Sequence, residues 1–552
     1  MQQFHVRYFS RNFRVNLSLN MHSTFFRLAL SGIFLLGTAP IFARVAVDST
    51  DTPPNNWFHL DPTESDYPGI STEQAYEFVG EKPARKVIVA VIDSGVDSAH
   101  EDLVGRLWSN SDEIAGNGTD DDNNGYVDDI HGWNFIGGAD GTNVDNDTYE
   151  LTREYVRLQR ARADQSKREK RREEDYYQSI VRAYRAKVAE LQQQREQFSS
   201  TASAFRRFDQ LFTAYLGVDT LTLDTLQSVQ SPDPLITEGQ RFMSYAMQAG
   251  IDEKGIDDAE AYFKSALDYG YDTTFNTRTI VGDNYADLAE RDYGNRDVTG
   301  PDATHGTHVA GIIAANRNNE LGGKGIAEPA EIMIVRAVPD GDERDKDVAN
   351  AIYYAVDNGA NIINMSFGKS YSPDKSVVDE AVRYARENNV LLVHAAGNSS
   401  KDVDKVDNFP NASLTGEKIK APNWIEVGAS SWKLDDGLPA EFSNYGKKNV
   451  DVFAPGVDIY SATPDNTYAR LQGTSMAAPV VSGVAALLMA YFPELTAEEV
   501  RDIILESAIP YRDLAVKRPG DEKEIKFSSL SSTGGVVNAL AAVKMAAART
   551  SK

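Results

Sequence analysis

The chain has 552 residues, no cysteine and a formal net charge of −26 at pH 7. The lack of cysteine excludes disulfides, thiolate metal sites and thiol catalysis. The acidic balance argues against a nucleic-acid partner and favours solubility in an export compartment. With 41% hydrophobic residues the chain can bury a large core, and its length predicts one main domain with an addition.

The N-terminus has the pattern of an export signal. From Met21, one basic residue, Arg27, precedes an apolar stretch of about fifteen residues that ends near Ala43. That stretch is short for a membrane span and favours a signal peptide over residues 1–43, the first twenty of which lie before an alternative start. We expect the mature protein to be secreted or periplasmic, without contact with a membrane. The alternative is an uncleaved anchor.

Three segments have the composition expected around an activated hydroxyl. The β-branched run VIVAVID predicts a buried parallel strand that ends in Asp93. The segment HGTHVAGIIAA places His305 at the start of a helix of small residues, and GTSMAAP places Ser475 where unpaired N–H groups favour negative charge. A hydroxyl nucleophile needs a base and a carboxylate that holds the base, so Asp93, His305 and Ser475 are the candidate catalytic residues.

These segments stand in the order of the subtilisin triad, and the chain resembles the subtilisin-like serine peptidases, or subtilases. The resemblance covers two parts of a catalytic domain, residues 57–150 and 276–545. It implies a three-layer α/β fold with a mostly parallel sheet. It also implies hydrolysis of proteins or peptides through an acyl-enzyme, with no cofactor required for the chemistry.

The resemblance also assigns roles beside the triad. The side-chain amide of Asn398, at the end of VLLVHAAGN, is implied to donate to the oxyanion together with the backbone N–H of Ser475. Two segments are implied to line the cleft: Ser366, Phe367 and Gly368, and Ala395, Ala396 and Gly397. His308, one turn beyond His305, is expected to be packed rather than catalytic.

A long insertion separates Asp93 from His305, which lie 212 positions apart. A sequence almost free of Gly and Pro predicts a long helix over 153–199, and helical pattern resumes over 240–269. The second half of the first helix carries an apolar stripe at helical spacing: Tyr177, Ile180, Val181, Tyr184, Val188 and Leu191. We expect residues 151–275 to form an inserted α-helical hairpin or small bundle on which a substrate or an adapter can dock.

An acidic loop follows the first strand. It offers oxygen ligands in the manner of an EF-hand calcium loop, with Gly125 at the sixth position: Asp120, Asp122, Asn124 and Asp128. Position twelve is His131 rather than a bidentate Glu, so the loop is not an EF-hand. Structural calcium is one interpretation, and a turn in which carboxylates accept nearby backbone N–H groups is the other.

The sequence therefore predicts a secreted serine endopeptidase. Two alternatives are a narrow regulatory or processing protease recruited through the insertion, and a catalytically silent binding protein. The complete set of candidate catalytic residues argues against the second.

Overall fold

The computed structural model of the protein describes residues 52–551, so the predicted signal peptide, residues 1–43, lies outside the described residues. The strands are β1 (Val87–Asp93), β2 (Gly132–Asn134), β3 (Ala330–Arg336), β4 (Ile362–Met365), β5 (Leu391–Ala395), β6 (Trp424–Ser430), β7 (Val452–Pro455), β8 (Ile459–Thr463), β9 (Thr467–Leu471), β10 (Ile509–Pro510), β11 (Ala515–Lys517), β12 (Glu524–Lys526) and β13 (Gly535–Val536).

Nine of these strands form one sheet in the order β10-β13-β7-β6-β5-β4-β1-β3-β2. Every neighbouring pair in it is parallel except β10 and β13. The chain reverses its direction of travel across the sheet at β1, which lies between β3 and β4. In open α/β sheets such a reversal places ligands at the carboxyl ends of the strands.

The helices are α1 (Thr72–Val79), α2 (Glu150–Asp164), α3 (Lys167–Arg172), α4 (Glu174–Leu216), α5 (Leu223–Gln227), α6 (Pro234–Gln248), α7 (Glu253–Ser265), α8 (Arg278–Val281), α9 (Thr304–Ala314), α10 (Asp345–Asp357), α11 (Lys375–Glu387), α12 (Thr474–Tyr491), α13 (Ala497–Ser507) and α14 (Ala539–Thr550). A π-helical turn, Ala266–Gly270, follows α7.

Helices cover both faces of the sheet. Alternate residues of β1 point to opposite faces, so Val89 and Val91 pack with α9 and α12 whereas Ala90 and Ile92 pack with α10 and α11. All four side chains are fully buried. A strand enclosed on both sides needs a continuous apolar run, which is what its sequence provides. The predicted three-layer α/β fold is confirmed.

The helix α12 runs through the centre of one layer. It is long and apolar enough to cross a membrane by length and composition, yet 94% of it is buried within the protein. It is a core helix. Its 18 residues contain the apolar run 476–489 that follows Ser475 in the sequence.

The helices of the insertion pack on one another. The helix predicted over 153–199 is interrupted at Ser166, whose side chain and backbone form a capping box with Glu169 and start α3. The helix α4 then extends for 43 residues, to Leu216. Its outer half forms a separate apolar core with α5, α6 and α7, in which Phe208 and Phe212 are buried.

The two ends of the insertion meet. Tyr149, just before α2, donates its backbone N–H to the carbonyl oxygen of Gly270 at 2.9 Å, and the Thr152 hydroxyl donates to the same oxygen at 2.8 Å. The chain therefore leaves and re-enters the catalytic domain at one place, and a long insertion of this kind costs the surrounding fold little loop entropy.

Candidate active site

The predicted acid and base meet at the carboxyl end of β1. Asp93 is the last residue of that strand and is 2% exposed, while His305 is the second residue of α9. His305 Nδ1 and Asp93 Oδ1 lie 2.7 Å apart, and the same oxygen accepts the backbone N–H of Ser94 at 2.8 Å. The imidazole is held through Nδ1, which leaves Nε2 for another partner.

Two glycines permit this close approach of helix and strand. A Cβ at Gly306 would lie 2.1 Å from the carbonyl oxygen of Gly95, so a larger residue would push α9 away from β1. Gly95 itself has φ +130°, a conformation that side chains rarely adopt, and a Cβ there would lie 2.1 Å from the carbonyl oxygen of Thr299. The small residues beside Asp93 and His305 thus allow the two side chains to meet.

The predicted nucleophile lies at the start of α12. Ser475 is the second residue of this helix, which packs against α9 on the same face of the sheet. Its Oγ donates to the carbonyl oxygen of Ser366 at 3.1 Å, and its own carbonyl accepts the Ser366 hydroxyl at 2.9 Å. Among the hydrogen bonds of the described residues, none joins Ser475 Oγ to His305.

The side-chain amide of Asn398 is fixed in orientation by Thr474. One amide atom accepts both the backbone N–H of Thr474 at 2.8 Å and its hydroxyl at 2.9 Å, so this atom is Oδ1 and the other is the donor Nδ2. A Cβ at Gly473 would lie 3.3 Å from Nδ2 and 3.5 Å from the backbone nitrogen of Ser475. Two nitrogens therefore border one small space, an arrangement suited to a developing oxyanion.

The two histidines of α9 differ in their surroundings. Burial lowers the pKa of His305, but the charge and hydrogen bond of Asp93 more than reverse this, so its pKa lies above the ordinary value. His308 is fully buried, with Nε2 at 3.0 Å from the carbonyl oxygen of Ile459 and 3.1 Å from that of Ala469. Burial lowers the pKa of His308 to about 3. The predicted packing role of His308 is confirmed.

The two predicted walls of the cleft lie at neighbouring strand ends. Residues 366–368 follow β4, residues 395–397 complete and follow β5, and these two strands pair in parallel. Between them lies Asn408, whose Nδ2 donates to the carbonyl oxygen of Ala396 at 3.2 Å. A Cβ at Gly368 would lie 3.0 Å from that amide. The structure thus brings the six predicted residues to adjacent strand ends, with one polar side chain between them.

The Subtilase family, Peptidase S8, matches residues 237–534. That span is more than half of the chain and includes His305, Asn398 and Ser475. The chain belongs to the subtilase family. Asp93 precedes the matched residues, so its place in this subtilase rests on the 2.7 Å contact with His305.

Two named relatives show how far the likeness extends. The thermophilic serine proteinase of Bacillus sp. (strain AK1) is 41% identical over 228 residues, which are 41% of this chain and 51% of that protein. Thermitase of Thermoactinomyces vulgaris is 41% identical over 217 residues, 38% of this chain and 72% of thermitase. This subtilase therefore spans about half of the first relative's length. A solved structure of proteases from Pseudoalteromonas arctica PAMC 21717 covers 89% of this chain and 97% of its own, with 19% identity and a TM-score of 0.46.

The acidic loop of this subtilase holds three carboxylates close together. One oxygen from each of Glu113, Asp120 and Asp122 lies within 4.8 Å of the others. Such a donor set fits a hard cation that prefers oxygen ligands, such as calcium. The predicted ligands Asp120 and Asp122 belong to it, and Glu113 was missed although it stands only seven residues before Asp120 in an acidic stretch.

The other two predicted ligands, Asp128 and Asn124, lie outside this carboxylate cluster and form hydrogen bonds within the loop. Asp128 accepts three backbone N–H groups, from residues 116, 117 and 118, and forms an ion pair with Arg296. Asn124 Oδ1 accepts the backbone N–H of Tyr126 at 2.8 Å. Both residues therefore follow the alternative interpretation of the loop, in which side-chain oxygens accept backbone N–H groups of the turn. The three clustered carboxylates also accept backbone N–H groups of this loop, so the cluster fits either interpretation.

Proposed function

We propose that this subtilase is a serine endopeptidase that hydrolyses peptide bonds through an acyl-enzyme. The observation that carries the proposal is the pairing of Asp93 with His305, and it is supported by the space that the backbone nitrogen of Ser475 and Nδ2 of Asn398 border. These are the groups that a hydroxyl nucleophile needs for activation and for stabilisation of its oxyanion.

In the proposed reaction Ser475 Oγ leaves its hydrogen bond to the Ser366 carbonyl and attacks the substrate carbonyl carbon. His305 takes the hydroxyl proton on Nε2 and gives it to the departing amine, while Asp93 holds the imidazolium through Nδ1. The carbonyl oxygen becomes negative and accepts from the Ser475 N–H and the Asn398 amide. Water then attacks the acyl-enzyme by the same route and releases the second product.

The decisive experiment is covalent labelling. The purified protein should react with a fluorophosphonate at Ser475, and Ser475→Ala should lose both labelling and hydrolysis. Ser482→Ala is a matched control, because Ser482 lies two turns further along the same helix and its hydroxyl donates to Asn364 Oδ1 at 2.8 Å. Labelling at another serine, or undiminished hydrolysis by Ser475→Ala, would contradict the assignment.

We further propose that residues 151–275 restrict or recruit substrates, which would make the enzyme a narrow regulatory or processing protease. What supports this is the separate apolar core of the outer half of the insertion, which is independent of the two cores that flank the sheet. An outer half with its own core can vary in what it binds without disturbing the site. Export and the binding of structural calcium also remain proposals.

A further inference from the structure

Buried charges join the root of the helical insertion to the catalytic domain. Glu150, the first residue of α2, is 3% exposed, and its Oε2 lies 2.8 Å from Lys369 Nζ and 2.7 Å from Arg153 Nη2. Lys369 Nζ also lies 2.8 Å from Asp345 Oδ1 and 2.8 Å from the carbonyl oxygen of Glu343. Lys369 is itself buried, so its ammonium group depends on these acceptors, one of which is the first residue of the helix that leads into the insertion.

The negative charge that faces Lys369 comes from two residues. Burial raises the pKa of Glu150, but the charges of Arg153 and Lys369 outweigh this and hold it below its ordinary value, so the carboxylate is ionised at neutral pH. Burial raises the pKa of Glu343 to about 8. The carboxylates of Glu150 and Asp345 are the ones that form ion pairs with the buried ammonium group, and loss of either pair weakens the anchoring of Lys369.

Lys369 also ties together the two walls of the cleft. It directly follows residues 366–368, and its backbone exchanges hydrogen bonds with Phe409, N–H to oxygen at 3.0 Å in one direction and 2.9 Å in the other. The neighbour of Phe409 is Asn408, whose amide donates to the carbonyl oxygen of Ala396 in the opposite wall. A displacement of Lys369 would therefore also displace residues in both predicted walls of the cleft.

The insertion also holds the loop that starts α10. Arg153 Nη2 donates to the carbonyl oxygens of Asp342 and Glu343, at 3.0 Å each. The backbone N–H of Glu150 donates to Asp342 Oδ2 at 2.7 Å. The first turn of α2 thus forms hydrogen bonds both with this loop and with Lys369.

We propose that Glu150 is a positioning residue for the substrate cleft: its carboxylate holds Lys369 and thereby sets the backbone of residues 366–369 against which an extended substrate lies. This inference rests on the proposed peptidase function and adds a dependence of substrate binding on the insertion. Asp93 and His305 have no contact with this network among the described hydrogen bonds and ion pairs. Ser475 touches residues 366–369 through its two hydrogen bonds with Ser366, three residues before Lys369. Its reactivity is therefore expected to change less than substrate binding when the network is disrupted.

The test compares Glu150→Gln with Glu154→Gln in the full chain. The substituted amide side chain in Glu150→Gln keeps the size and one acceptor of the carboxylate but loses its charge. Glu154 is a matched control, because it is 1% exposed on the same helix and pairs with Arg157 instead of Lys369. Each variant is assayed for KM and kcat on a peptide that spans several residues on both sides of the cleaved bond, and for the rate of fluorophosphonate labelling.

For Glu150→Gln we expect KM to rise about tenfold, with kcat and the labelling rate within about threefold of the wild type. Glu154→Gln should leave all three unchanged. If Glu150→Gln does not fold, the double variant Glu150→Gln with Lys369→Met, in which neither partner is charged, is measured in its place and should show the same rise in KM.

A wild-type KM in the folded variant would overturn the positioning role, and so would a parallel loss of labelling and hydrolysis, because that would place the defect at Ser475. Failure of the wild-type protein to label at Ser475 would instead overturn the proposed function on which the inference rests. The two failures are therefore distinguishable.

Discussion

Replacing Asn398 by Ala separates the two tasks of this side chain. Its Nδ2 borders the space beside the Ser475 backbone nitrogen, while its Oδ1 accepts two hydrogen bonds from Thr474. Loss of the donor should reduce kcat on the order of 100- to 1,000-fold, or about 2.7–4 kcal/mol of barrier, the range known for the corresponding asparagine of subtilisin. KM should change little, because the interaction forms with the charge of the transition state.

The lost acceptor has a smaller, structural cost. In Asn398→Ala the first backbone N–H of α12 loses its partner, which should lower the free energy of unfolding by about 1–2 kcal/mol. The comparison variant is Thr474→Val, which removes the hydroxyl that donates to Asn398 and accepts the Gly397 N–H at 3.0 Å. With its amide less firmly oriented, that variant should lose about tenfold in kcat.

The assay combines steady-state hydrolysis of a chromogenic peptide, fluorophosphonate labelling and a urea melt for each variant. Asn398→Ala should still label, slowly, since Ser475, His305 and Asp93 remain in place. An unchanged kcat in a folded Asn398→Ala would remove this residue from the oxyanion site. A fall in kcat fully explained by unfolded protein in the melt would equally refute the reasoning.

Three further outcomes are expected. Asp93 raises the pKa of His305 despite burial, and the imidazole must be neutral to act as a base. Asp93→Asn should therefore move the acid limb of the kcat/KM profile to lower pH. An unchanged acid limb would show that Asp93 does not control the pKa of the catalytic base. Chelation should lower the melting temperature and added calcium should restore it. This response should be lost in Asp122→Ala and kept in Asp128→Asn, whose native side chain pairs with Arg296. A melting temperature that does not depend on calcium would leave only the turn interpretation. Replacing residues 199–262 by a Gly/Ser linker between Phe198 and Phe263, whose ring centroids lie 5.6 Å apart, should leave small-peptide hydrolysis intact and change the preference among large substrates; unchanged preference would argue against a gating or recruiting role.

Much of the catalytic domain could be predicted because the sequence patterns that mark its strands and helices are local. A strand enclosed by helices on both faces must be apolar at every position, which marks β1 up to Asp93. Helix starts are also marked by local sequence: Thr496 and Glu499 form a capping box at the start of α13. The same pattern at Ser166 and Glu169 explains why the helix predicted over 153–199 is interrupted. The Ser166 capping box is readable from the sequence, since a Glu stands three residues after the Ser.

Contacts between distant residues were decided by the tertiary structure alone. The sequence could propose Asp93 and His305, but only the packing of α9 on β1, allowed by Gly306, brings their side chains to 2.7 Å. The orientation of the Asn398 amide likewise depends on Thr474, 76 positions away.

Charged residues show most clearly what the sequence alone could not determine. In sequence, Glu150 and Lys369 are indistinguishable from charges on a solvated surface, and Glu113 and Asp128 belong to one acidic stretch. Burial gives them different partners: the first two form an ion pair between α2 and the segment after β4, whereas Glu113 and Asp128 each accept three backbone N–H groups, and Glu113 also lies in a carboxylate cluster. The physical reason is that the cost of burying a charge is met by partners from other parts of the chain, and the chain order does not specify which partners those are.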